Sequence, residues 1–85
     1  MKPILTLDFP AVYRIVVQGY LEDHWSDWFD GMTIEAKVDP EVGSSTTTLI
    51  GRIVNQAALH GILRKLYDLG MPLLLVKAIE LDNSN

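Results

Sequence analysis

The chain has 85 residues, 48% of them apolar, and a net charge of −4, which fits one domain and leaves no room for a second. Its 7 basic residues are scattered, giving no electrostatic footprint for nucleic acid, and the absence of cysteine excludes disulfides, thiolate metal sites and cysteine nucleophiles. A domain of this size buries only roughly 60% of its unfolded surface, so the high apolar content points to further burial in an oligomer.

Residues 1–12 read as an N-terminal arm, residues 13–81 as a single α+β domain and residues 82–85 as a polar tail. The apolar run near the start is short and is broken by Asp8 and by Pro3 and Pro10, unlike a signal peptide. No stretch reaches the ~18 apolar residues of a membrane span, so the expected location is the cytoplasm, with no membrane partner.

The first strand is expected over Tyr13–Leu21, where Ile15, Val17, Gly19 and Leu21 alternate with Arg14, Val16, Gln18 and Tyr20. Next comes Glu22-Asp-His-Trp-Ser-Asp-Trp-Phe-Asp-Gly31, in which Asp23 or Ser26 is a candidate cap for one or two helical turns that Gly31 ends. Trp25, Trp28 and Phe29 fall on one face, which suggests an aromatic plug under the sheet with an acidic rim. Met32–Val38 alternates strictly and predicts the second strand, Asp39–Ser45 is a turn cluster, and Thr46–Val54 is its partner strand.

Asn55–Gly70 is the clearest element. Leu59, Ile62, Leu63, Leu66 and Leu69 recur at the period of a helix with one buried stripe. Asn55 is placed to cap the first turn, with Val54 and Leu59 as a hydrophobic staple. Gly70, with Met71 against Leu66, predicts a Schellman stop before Pro72. Opposite the stripe, Ala57 and Gly61 make a small-residue groove wide enough to admit another backbone. Gln56, His60, Arg64 and Tyr67 form a polar flank between those faces. The last strand is expected over Pro72–Leu81, with Leu73, Leu75 and Ile79 alternating with Leu74, Val76 and Ala78, so that both faces are apolar.

The order of elements predicts a four-stranded, mainly antiparallel sheet with one long helix on one face. A ferredoxin-like split βαβ with a shortened first helix is preferred over a three-stranded meander followed by a βαβ unit. Trp-Ser-Asp-Trp-Phe-Asp-Gly at 25–31, Gln-Ala-Ala-Leu-His-Gly at 56–61 and Asp-Leu-Gly at 68–70 resemble a family of small, mostly bacterial proteins of unassigned function. The similarity covers roughly residues 13–77, and such relatives usually carry Asp where this chain has Asn55, another capping residue. The resemblance implies a standalone bacterial protein of this fold and brings no activity.

No phosphate loop, metal-ligand spacing or nucleophile elbow is present, so no cofactor, metal site or catalytic residue is assigned. His24 with Asp23 and Asp27 makes a poor zinc site. The leading expectation is a non-catalytic interaction or regulatory module acting as a homodimer, with Ala57, Gly61, Leu73, Leu75 and Ile79 as candidate interface residues; the competing cover for the last strand is the N-terminal arm, through Ile4, Leu5, Leu7 and Phe9. A small-ligand sensor is the alternative, with Gln56, His60, Arg64 and Tyr67 beside Trp25 and Trp28 as its binding residues. An enzyme using His60 as acid or base ranks third, because it requires an orienting carboxylate that the sequence does not place.

Overall fold

β-branched and aromatic residues at every second position build the sheet of the computed structural model, which describes residues 10–81. In chain order the elements are β1 (Ala11–Gln18), a 3-10 helix (Asp23–Phe29), β2 (Thr33–Val38), β3 (Ser45–Ile53), α1 (Gln56–Asp68) and β4 (Leu73–Leu81). They form one four-stranded sheet in the order β2-β3-β1-β4, with every neighbouring pair antiparallel. Because β3 inserts between β1 and β2, the meander alternative is overturned. Each helical segment instead connects two parallel strands with one strand between them, which is the ferredoxin-like arrangement.

Core and strand limits follow from side-chain parity. Ala11, Tyr13, Ile15 and Val17 of β1 are buried, as are Leu49 and Ile53 of β3, and α1 closes this face with Leu59, Ile62 and Leu66. Two residues assigned to the arm, Ala11 and Val12, already pair in β1; the rest of the expected arm before Pro10, and the tail 82–85, lie outside the described residues. β1 stops at Gln18 rather than Leu21, because the chain turns at Gly19 and leaves the ladder. Thr47 takes over there: its Oγ1 donates to the Gly19 carbonyl at 2.7 Å and accepts from the Leu21 N–H at 3.0 Å.

Both ends of α1 form as its sequence predicts. Asn55 Oδ1 accepts from the Ala58 N–H at 2.8 Å. At the other end the Met71 N–H donates to the Leu66 carbonyl at 3.1 Å and the Gly70 N–H to the Tyr67 carbonyl at 2.9 Å. This is the Schellman pair, which requires the left-handed backbone that Gly70 adopts at φ 76°. The staple is weaker than expected, since Val54 remains 55% exposed.

The Trp segment winds as a 3-10 helix of seven residues rather than an α-helix. Glu22 occupies its N-cap without a side-chain capping hydrogen bond, so neither Asp23 nor Ser26 is the cap. Ser26 Oγ donates instead to the Met32 carbonyl at 2.7 Å, while the Gly31 N–H closes on the Ser26 carbonyl at 2.9 Å and ends the segment. Of its three aromatics only Phe29 is fully buried; Trp25 is half-buried and Trp28 is 42% exposed. The plug is therefore one ring deep, because a short 3-10 helix directs only about every third residue at the sheet.

Candidate functional site

Helical spacing does bring Gln56, His60, Arg64 and Tyr67 to one flank of α1, but it leaves His60, Arg64 and Tyr67 open to solvent. Gln56 Nε2 lies 3.4 Å from His60 Nε2, and Gln56 Oε1 is buried without a partner among the described residues. Arg64 Nε donates to Asp68 Oδ1 at 3.3 Å, which ties the guanidinium to its own helix. Among the described residues no carboxylate pairs with His60, so the arrangement a His60 acid or base would need is not made there.

Trp25 and Trp28 lie together, with ring centroids 5.2 Å apart and ring planes inclined at 53°. Trp28 also meets the buried Phe29 edge-on at 5.3 Å. Their link to α1 is Lys65, a residue the sequence reading passed over. Its Nζ donates to the Trp28 carbonyl at 2.7 Å and stands 5.4 Å from the Trp28 ring centroid. The lysine stem covers apolar surface while its head reaches the aromatic segment, and a contact across 37 positions has no local signal in sequence. The Trp pair thus meets the long helix through Lys65.

A shallow concavity of about 420 Å³ opens on the outside of the 3-10 helix, lined by His24, Trp25, Asp27 and Trp28. The His24 and Trp25 rings are 5.8 Å apart, and His24 Nδ1 is 3.2 Å from Glu22 Oε1. None of Gln56, His60, Arg64 and Tyr67 lines this concavity. Among the described residues no group of three or more His, Cys, Asp or Glu is placed to hold a metal ion.

β4 carries the candidate interface. Its pairing with β1 shifts register twice, between Val12 and Tyr13 and between Val16 and Val17. Leu74 and Ile79 are the residues left out of the ladder, so the expected strict alternation is broken. Leu73, Val76 and Ala78 pair with the core-facing Val17, Ile15 and Tyr13, whereas Leu75 and Lys77 share the outer face with Val16 and Arg14. Leu73, Leu74, Leu75 and Ile79 remain 52%, 54%, 39% and 44% exposed. Ala57 and Gly61 are exposed as well, and a Cβ added at Gly61 would meet nothing within 4 Å.

Fold and surface together define a small ferredoxin-like α+β domain with an apolar edge strand and an aromatic concavity. The family model described as "Domain of unknown function (DUF8691)" matches residues 12–77, and the chain belongs to that family. No curated protein and no solved structure matches the chain. No helix among the described residues is long and apolar enough to cross a membrane.

Proposed function

We propose that this chain is a bacterial, cytoplasmic interaction module that works as a two-fold homodimer joined along β4. The observation that carries the reading is a sheet edge paired, among the described residues, only to β1, on which Leu73, Leu74, Leu75 and Ile79 are all at least 39% exposed. Exposed apolar patches of this kind mark interaction sites more often than isolated surface residues do. A second copy is the chosen occupant because a two-fold axis beside an edge strand sets the same exposed apolar residues against each other, and closed two-fold dimers are the commonest assembly.

The other strands support that placement. Arg14, Gln18, Thr33, Glu35, Lys37 and Arg52 are all exposed, so the second faces of the other strands carry mostly polar groups. The two bulges and the exposed Lys77 and Glu80 discourage a long backbone ladder between edges. Side-chain packing of the leucines therefore carries the contact.

Leu75→Asp tests this reading, with mass by sedimentation and thermal melting measured on the same samples. A charged residue in the middle of the contact is expected to convert dimer to monomer and to remove the concentration dependence of the melting temperature. A variant with unchanged mass and unchanged concentration dependence would exclude β4 as the interface.

A further inference from the structure

We infer that the concavity formed by His24, Trp25, Asp27 and Trp28 is a binding site for a small methylated ammonium ion. This inference is independent of the dimer and rests on a different surface. The two indoles meet at 53° with centroids 5.2 Å apart, so they form an angled wall of aromatic surface, and His24 continues it 5.8 Å from Trp25. With Asp27 they line a shallow, open concavity of about 420 Å³, room for a small ion resting against the rings. Trp28 remains 42% exposed, whereas Phe29 beside it is wholly buried.

The electrostatics favour a cation. An indole face attracts positive charge more strongly than any other aromatic side chain. Asp27 stands at the site, with Asp23 and Asp30 in the same segment, and no cation pairs with any of the three among the described residues. Lys65 already sets its ammonium 5.4 Å from the Trp28 ring centroid, yet it is not one of the residues lining the concavity.

Lys65 also indicates which kind of cation belongs in the concavity. Its primary ammonium needs an oxygen acceptor and takes the Trp28 carbonyl at 2.7 Å. A methylated ammonium has few or no N–H groups to satisfy, so ring walls and one carboxylate suit it. An anion or an uncharged polar ligand would find no convergent donor array there, since the His24 ring and two indole N–H groups are the only side-chain donors among the described residues of the lining.

The test is a titration of the full chain with tetramethylammonium chloride, followed by the indole N–H resonances in NMR. Sodium chloride and tert-butanol serve as the ionic-strength and neutral-shape controls. Saturable shifts in the millimolar range are expected with tetramethylammonium alone. Trp28→Leu keeps apolar bulk and should abolish saturation at Trp25 while the amide spectrum stays native. Asp27→Asn, a surface change that leaves the rings in place, should weaken binding about threefold. Equal shifts from tert-butanol or sodium chloride, or undiminished affinity in either variant, would overturn the assignment.

Discussion

Two single side chains hold segment ends that the backbone cannot hold itself. Asn55 supplies the acceptor for the Ala58 N–H at the start of α1, so Asn55→Ala is expected to lower stability by about 1 kcal/mol in denaturant unfolding. An unchanged midpoint would mean that another group satisfies that donor. Thr47 is fully buried and joins the Gly19 carbonyl to the Leu21 N–H where β1 leaves the sheet. Thr47→Val keeps the shape and removes both hydrogen bonds, leaving a buried N–H unpaired, at an expected cost of about 1–3 kcal/mol. The position is legible in sequence as a threonine sharing the inward parity of Leu49 and Ile53, although its two partners are not.

At the scale of elements, α1 was readable from end to end because its signals are local: a capping Asn55, a leucine stripe, and Gly70 with Met71 at the stop. β4 was harder. Its leucines show no glycine or proline to mark a bulge, so strict alternation was the natural expectation, and the two register shifts against β1 redistributed the faces. The Trp segment misled for a related reason, since spacings of three and four residues fit both helix types and only the tighter 3-10 winding leaves Trp28 open. Of the candidate ligand residues, the two tryptophans do form a concavity, with His24 and Asp27, while the polar flank of α1 lies outside its lining. Gly61 offers a direct check on the helix. Its side is open and exposed, so Gly61→Ala should raise stability by up to about 1 kcal/mol without changing the mass of the assembly. Loss of association in that variant would move the interface from β4 to the Ala57–Gly61 groove.

The whole molecule joins a half-covered sheet to a high apolar content. One long helix and one short 3-10 segment pack on the inner face, and α1 lies against β3 while Leu73 at the sheet edge stays half exposed. With 48% apolar residues in 85, the chain has more apolar side chain than its single core takes in, and part of the excess, Leu73, Leu74, Leu75 and Ile79, is exposed on β4. Regular burial of one face makes α1 and β1 readable, whereas the register shifts of β4 mix its faces. Self-association along β4 is the central claim, and sedimentation equilibrium of the wild-type chain over a concentration series reaching high micromolar tests it most directly. The account predicts a limiting mass of twice the 9.5 kDa chain. A mass that stays at 9.5 kDa throughout the series would contradict it.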